Sequence, residues 1–390
     1  MKLLYVTVLA YLATTTQASP QPHIRNSLRE LADRIRERAR QEVNKEVRGI
    51  RNPFDDRPTH IVTNPGYSNN ETAFVSYFAY EPPKADDARD TYDGIFNYFR
   101  RFNLNSYEER RLRERSYWIR GDYDETPTRL DITGSVRNIQ TEGNGVVQQI
   151  VPLNGGEIPE ANSTAVTYKV RSLENGGQEE SSYVIKSTDH EHQTLVISDV
   201  DDILKKTNTN SLTETLANTF WRPYEPIDKM PKVMKNLVAN NNTSYHYVTG
   251  IPIVLSPPLI DWILSVYPSG SFTFRPATQL DFDSIKTTLQ QGGYRRDAIS
   301  RIIDTFPSRN AVIFGDTFGT SLQTTADLIQ KYSNRHICHY VHRFQVTQSD
   351  EQMYNQIADD SDTNIDRVRN QVIFYTDAQE LLDRGDLTQC

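Results

Sequence analysis

The sequence predicts an α/β fold: a parallel sheet with helices on both faces, preceded by a small β-sandwich-like domain and a helix-rich N-terminal region. Three observations carry this reading. From about residue 192, short apolar runs alternate with helix-length amphipathic segments, the pattern of a parallel sheet with crossover helices. Between residues 129 and 188, short strand-like runs are separated by Gly/Asn turns, the pattern of a small β-rich domain. One apolar run, "TLVISDVDDILKKT" (194–207), ends in Asp199, Asp201 and Asp202. Sites in open α/β sheets lie at the C-terminal ends of strands, which is where these carboxylates fall.

The chain has 390 residues, enough for two domains. Residues 1–18 combine Lys2, an apolar run and small residues ending at Ala18, as in a secretory signal peptide. Cleavage there starts the chain at Ser19, in a secreted, extracellular protein. Residues 19–128 read as a mixed, helix-rich region. Apolar positions from Ile24 to Val47 keep helical spacing, with a capping box at Ser27 and Glu30. "ETAFVSYFAY" reads as a strand; "DARDTYDGIFNYFRRFN" and "SYEERRLRERSYW" read as helices. Residues 129–190 form the β-rich domain, through "RLDITGSVRNI", "GVVQQIVPL", "AVTYKVRSL" and "SSYVIKS". In residues 191–390, strands are expected at 194–198, 245–249, 271–274, 311–315, 336–341 and 371–375. Helices are expected near 212–220, 228–239, 257–267, 294–305, 321–333, 362–368 and 377–383.

A net charge of −8 argues against nonspecific nucleic-acid binding. No run of 18 apolar residues suggests a membrane-spanning helix. The Arg-rich face of the 24–47 helix can meet an anionic membrane surface, although interleaved acids favour a solvated face. In a secreted chain the sequons at Asn70, Asn162, Asn241 and Asn242 are glycosylation candidates. Cys338 and Cys390 are the only cysteines, and a disulfide, two free thiols or an intermolecular bridge are all open. "DHEH" puts His190 and His192 on one face of an extended segment, a pattern open to a metal but better read as an exposed strand edge. "HICHYVH" aligns His336, Cys338, Tyr340 and His342 on one strand face, short of the well-separated ligand pairs of a structural zinc site. Trp118, Trp221 and Trp262 read as core or interface aromatics. Walker, GxSxG and HExxH patterns are absent.

The acidic strand end needs a chemical reason, because clustered carboxylates repel and resist burial. An apolar strand followed by Asp-x-Asp is the layout of aspartate-based phosphotransferases of the haloacid-dehalogenase type. One carboxylate attacks phosphorus. The second protonates the leaving oxygen and later activates water. A divalent cation offsets the repulsion. Further along come Thr249 at a strand end, Arg295 and Arg296 at a helix head, and Gly315-Asp316 at another strand end. These suit phosphate and metal contacts in the order such enzymes use.

These segments resemble the catalytic domain of the fungal actin patch protein family, magnesium-dependent phosphatidate phosphatases with a haloacid-dehalogenase-like core. "VISDVDDILKKT" resembles ISDIDDTIKxT; "ANTFWRPYEPIDKMPKVMKNL" is similar to the inserted segment that follows. "YHYVTGIPIVLSPPL" resembles YVSxSPW…P, and "YPSGSFTFR" resembles PxGxxxLR. "RRDAISRIIDTFPSRNAVIFGDT" resembles KxxxIxxIxxxFPxxKFxLxGDS. The likeness spans roughly half the chain and leaves residues 20–128 uncovered. It implies Asp199 as nucleophile, Asp201 as general acid/base, and Thr249 and Arg295 as phosphate contacts. It implies Mg2+ held by Asp199, Asp316 and the Asp201 backbone carbonyl.

The departures are Ile203 for Thr, Arg295 for Lys, Ile251 and Ile253 for the Ser and Trp of SPW, and Ser321 for a second Asp. The resemblance implies a secreted, Mg2+-dependent hydrolase of phosphatidate or a related phosphomonoester. The alternative is a degenerate extracellular binder of anionic lipid or phosphorylated ligands. Residue patterns indicate no nucleic-acid partner and name no protein partner.

Overall fold

A computed structural model describes residues 58–82, 99, 102–117, 119, 123–153, 165–174, 178–186, 194–239, 243–277, 292–344 and 346–390. The expected signal peptide, the 24–47 helix, nearly all of the 87–103 helix, Trp118, His190, His192 and the sequons at Asn162, Asn241 and Asn242 lie outside these residues.

Residues 57–390 form one unit. Its first part is a seven-stranded sheet. The strands are β1 (His60–Ser68), β2 (Thr72–Tyr80), β3 (Pro127–Ile132), β4 (Ser135–Gln140), β5 (Val146–Pro152), β6 (Ala165–Ser172) and β7 (Glu179–Lys186). Their order is β4-β3-β6-β7-β1-β2-β5, antiparallel except where β1 meets β7. The β-rich region therefore begins at His60 rather than at residue 129, and β1 and β2 sit inside it. Asn64-Pro65-Gly66 hides β1 in the sequence, because it reads as a turn. In the fold it is a bulge: the register with β2 slips between Asn64 and Tyr67. A Cβ at Gly66 would meet the Phe74 carbonyl oxygen at 2.0 Å, so only glycine allows that approach.

The sandwich expectation becomes a single curled sheet. Tyr77 on β2 and Thr128 on β3 are separated by three strands in the order, yet their hydroxyls lie 2.7 Å apart. Tyr168 on β6 donates to the carbonyls of Asn64 (2.6 Å) and Ser76 (2.9 Å). The enclosed face buries Ala73, Val75, Tyr77, Leu130, Val151, Tyr168 and Val170.

The second sheet has six strands: β8 (Thr194–Asp199), β9 (Thr243–Pro252), β10 (Ser271–Arg275), β11 (Asn310–Asp316), β12 (Ile337–His342) and β13 (Val372–Tyr375). All pairings are parallel, in the order β10-β9-β8-β11-β12-β13. Each expected strand is present to within a few residues. Among the described residues the helices are α1 (Ser106–Ser116), α2 (Leu212–Phe220), α3 (Met230–Ala239), α4 (Ser256–Val266), α5 (Gly292–Thr305), α6 (Ser321–Lys331), α7 (Asp350–Ser361), α8 (Ile365–Gln371) and α9 (Ala378–Arg384).

Successive β8 side chains serve opposite faces, as strand geometry requires. Val196 packs with α2, α3 and α4, whereas Leu195 and Ile197 pack with α5. Helices α6, α7 and α8 cover the far end, against Val341, Val372 and Phe374. The curled sheet joins both cores, through Phe78 and Tyr80 on one side and Tyr67 and Phe74 on the other. Ser256 of α4 donates to Asn64 at 2.8 Å, tying β1 to the parallel sheet.

Helix α7 has no counterpart among the expected helices. Its buried stripe is thin, chiefly Met353, Ile357 and Ala358. Its start was marked by a capping box, Ser349 with Gln352. Cys338 and Cys390 form a disulfide that ties the final residues to β12. The pairing takes Cys338 out of any strand-face zinc set, and His342 turns its ring nitrogens to the Asp202 and Thr376 carbonyls.

Candidate active site

The chain runs from β8 through β9 to β10 on one side, then returns to β11, β12 and β13 on the other. The order reverses between β8 and β11, so their C-terminal ends border a crevice. Asp199 closes β8 and Asp316 closes β11.

Asp199 is only 8% exposed. The Val200 N–H donates to its Oδ1 at 2.7 Å, and an Arg295 guanidinium nitrogen lies 3.0 Å from its Oδ2. Burial pushes the Asp199 carboxyl up, to about 7; Arg295 opposes this, while Asp316 and Asp201 add to it. Arg295 sits in the first turn of α5. Burial works to lower its pKa, but Asp199, Asp316, Asp201 and Asp202 outweigh that and hold it above its ordinary value. Arg296, its neighbour, turns away to Asp297 and Asp327.

Asp201 is fully buried, with both carboxylate oxygens engaged. Thr207 donates to Oδ1 at 2.7 Å, Thr249 donates to Oδ2 at 3.1 Å, and Lys205 Nζ lies 3.4 Å from Oδ1. Thr249 sits on β9, beside β8, and its own Oγ1 receives the Ile251 N–H at 3.0 Å. Lys205 and Thr207 stand in the quoted "DDILKKT", yet nothing in their spacing marked them as contacts of Asp201. Their signal was chemical: a buried carboxylate needs donors, and these are the nearest in sequence.

Asp202 has a structural task. Its Oδ1 accepts the N–H groups of Thr207 (2.9 Å) and Asn208 (2.7 Å); its Oδ2 accepts the N–H (2.8 Å) and hydroxyl (2.7 Å) of Thr209. It adopts φ 58°, a left-handed conformation that Asp tolerates better than most residues. Asp202 thus folds the loop that presents Thr207 to Asp201. Ile203 faces the other way, into the apolar cluster with Val200, Leu204 and Trp221. The side chain at this position is core packing, so the missing hydroxyl removes no contact to these carboxylates.

Asp316 accepts the Phe318 N–H at 2.8 Å, and a hydrogen bond from Ser321 also favours its charged form. Burial, the largest influence, pushes its pKa up. Ser321, Asp199 and Arg295 share a cavity of about 30 Å3 with His339, Thr324 and Thr325. That is room for a water or two. The Nε2 of His339 is buried there without a protein partner.

Asp199 and Asp316 supply hard oxygen donors of the kind Mg2+ takes, and their mutual repulsion is what a divalent cation relieves. The donor types suit that ion, while the carboxylates of Asp199, Asp201 and Asp316 do not gather as a trio within 4.8 Å of one another. The Asp201 carboxylate is shared between its own loop and Thr249 of β9, so its backbone carbonyl is the Asp201 donor left for a metal. Among the described residues, the group of three His, Cys, Asp or Glu ligand atoms lying within 4.8 Å of one another is His336, Cys338 and Cys390, two of which form the disulfide. Asn70, the sequon within the described residues, is exposed in the turn between β1 and β2.

No curated protein matches the chain. Among solved structures, a carbohydrate acetylesterase from Xanthomonas citri aligns at 10% identity, covering 70% of this chain and 65% of that one, with a TM-score of 0.22. A carbohydrate esterase described as having divergent catalytic and non-catalytic binding functions aligns at 9% identity, covering 74% and 89%, with a TM-score of 0.21. Such scores carry no argument about this fold or its chemistry. Residues 194–343, which hold every carboxylate of the site, match the family described as "Phosphatidate phosphatase APP1, catalytic domain". That segment belongs to the phosphatidate phosphatase APP1 catalytic-domain family.

Proposed function

We propose that this chain is a Mg2+-dependent phosphatase that hydrolyses phosphatidate, or a related lipid phosphomonoester, through an aspartyl-phosphate on Asp199. The observation that carries the reading is the Asp199–Arg295 pair beside Asp201, within the family match. The all-parallel sheet, with Asp199 ending its first strand beside the order reversal, is consistent with a haloacid-dehalogenase-like core.

Arg295 grips the phosphoryl oxygens and positions phosphorus against Asp199. A carboxylate oxygen of Asp199 bonds to phosphorus as the ester oxygen leaves. Asp201, protonated and freed from its Thr249 bond, gives that oxygen its proton, releasing the alcohol, diacylglycerol in the case of phosphatidate. Asp201 then takes a proton from water, whose oxygen attacks phosphorus and frees inorganic phosphate and Asp199. Before the first transfer, Thr207 and Thr249 hold Asp201 in place. Asp199, Asp316 and the Asp201 carbonyl would hold Mg2+, which supplies charge neutralisation for the phosphoryl group.

Release of phosphate from phosphatidate vesicles with Mg2+, lost on adding EDTA, tests the reading. Ser321, where the family has a carboxylate, favours a second reading: binding of anionic lipid without turnover. Vesicle binding that persists in EDTA, with no phosphate release, would select it. Secretion with cleavage after Ala18, glycosylation at the four sequons and contact with a membrane surface belong to the same proposal. Mass spectrometry of protein secreted by eukaryotic cells, read for a Ser19 terminus and glycan mass on Asn70, tests them.

A further inference from the structure

We propose that helix α1, which lies outside the family match, is a working part of this site, and that Arg115 is a positioning residue for Asp201, acting through Tyr224 and Lys205. The inference rests on Asp201 as the acid/base of the proposed reaction.

Helix α1 is firmly started. Asn105 accepts the N–H groups of Tyr107 (3.0 Å) and Glu108 (3.1 Å), and Glu108 returns a bond to the Asn105 N–H. Two arginines on one face then reach the end of α2. Arg111 donates to the Trp221 carbonyl at 2.7 Å. Arg115, buried, donates to the carbonyls of Thr219 (2.8 Å) and Arg222 (2.9 Å). Carbonyls at a helix C-terminus lack intrahelical partners, and cations suit that end of the dipole.

Arg115 goes further than Arg111. Its guanidinium carbon lies 3.5 Å from the centroid of the Tyr224 ring, and Lys205 Nζ lies 5.4 Å from the same centroid. One aromatic ring thus serves two cations, and the second is the buried lysine beside Asp201. The backbone follows the same route. Lys206 N–H donates to Glu225 at 2.9 Å, and Ile227 N–H donates to Leu204 at 2.9 Å, so residues 224–227 brace the loop that carries Lys205 and Thr207. A buried lysine needs both its carboxylate and a compensating ring, so a tilt of Tyr224 is passed to Asp201. A plain buttress would need only the carbonyl contacts that Arg111 already makes.

The test compares Arg115→Met, Tyr224→Leu and Arg111→Met with the parent protein, in phosphate release with Mg2+ and in crystal structures. Arg115→Met and Tyr224→Leu should lower kcat about tenfold or more with KM little changed, because the acid/base is displaced while substrate contacts remain. Arg111→Met should lower the melting temperature comparably and leave kcat within about twofold. In the Arg115→Met structure, Asp201 should lose its Thr249 or Lys205 contact. Parent-like kcat in Arg115→Met, or an equal kcat loss in Arg111→Met, would overturn the proposal. If the parent protein releases no phosphate, the phosphatase reading fails by itself. The crystal structures then still decide this one: an unmoved Asp201 in Arg115→Met overturns it, and a displaced Asp201 supports it.

Discussion

Arg295 and Asp199 form a buried ion pair at 3.0 Å, joining the start of α5 to the end of β8. The two residues are 96 positions apart (295 − 199), and only the parallel sheet brings them together. Removing one member of a buried pair leaves the other's charge uncompensated, at a cost of about 3–5 kcal/mol. Asp199, already raised to about 7, takes up a proton once Arg295 is gone, so Arg295→Met should lower unfolding stability in urea titrations at neutral pH by less than that full cost. Phosphate release should fall at least about a hundredfold, because the substrate loses its grip as well. A variant as stable and as active as the parent would contradict the pair's role.

Restoring two of the family residues should have different effects. Ile203→Thr places a hydroxyl in an apolar cluster and should cost about 1–3 kcal/mol of stability while leaving activity within about twofold. Ser321→Asp adds a carboxylate beside Asp316 and should tighten Mg2+. Isothermal titration with Mg2+ reads this directly. A marked gain of activity in Ile203→Thr would show that the position belongs to the site.

Acid should unfold the protein partly through two buried histidines. Burial lowers the pKa of His246 to about 3, helped by Arg309, and burial alone takes His339 to about 3. Both are neutral in the fold, whereas the unfolded chain takes up their protons below pH ~6.5. Their contribution is thus complete above ~6.5 and is lost as pH falls, on the order of 2 kcal/mol each by pH ~5. Asp199, raised to about 7, acts in the opposite sense, since the fold keeps a proton that the unfolded chain releases. The histidine term is therefore read as a difference: His246→Gln should lose less stability between pH ~7.5 and ~5 than the parent does. Equal losses would refute it.

The disulfide closes a span of 52 residues, for which chain entropy predicts about 4 kcal/mol. Cys390→Ser should lower the unfolding midpoint accordingly and leave kcat unchanged, since the bond lies away from the carboxylates. Thermal unfolding with and without reductant should reproduce the difference in the parent.

The parallel sheet was legible in the sequence because buried strands read as unbroken apolar runs. β8 and β11 also carry their acidic ends in plain view, so the sequence places Asp199 and Asp316 at the strand ends where the structure has them. β1 was not legible, because Pro65-Gly66 signals a turn unless its partner strand is known. Helix α7 was missed because a half-exposed helix needs few apolar positions. The surroundings of Asp201 were hidden for another reason. Lys205 and Thr207 look like ordinary polar residues after an acidic turn, and only the fold of loop 200–209 around Asp202 turns them inward. Ile203 misled in the same way: its identity departs from the family pattern, but its direction makes the departure harmless to the carboxylates.

The central claim is that Asp199 attacks phosphorus. The most direct measurement is phosphate release from phosphatidate with Mg2+, comparing the parent with Asp199→Asn, in which the side chain keeps its size but loses the nucleophilic carboxylate. Release by the parent and a loss of at least about a thousandfold in Asp199→Asn is the predicted result. Equal release by both proteins, or none from the parent across phosphatidate and simpler phosphomonoesters, would contradict it.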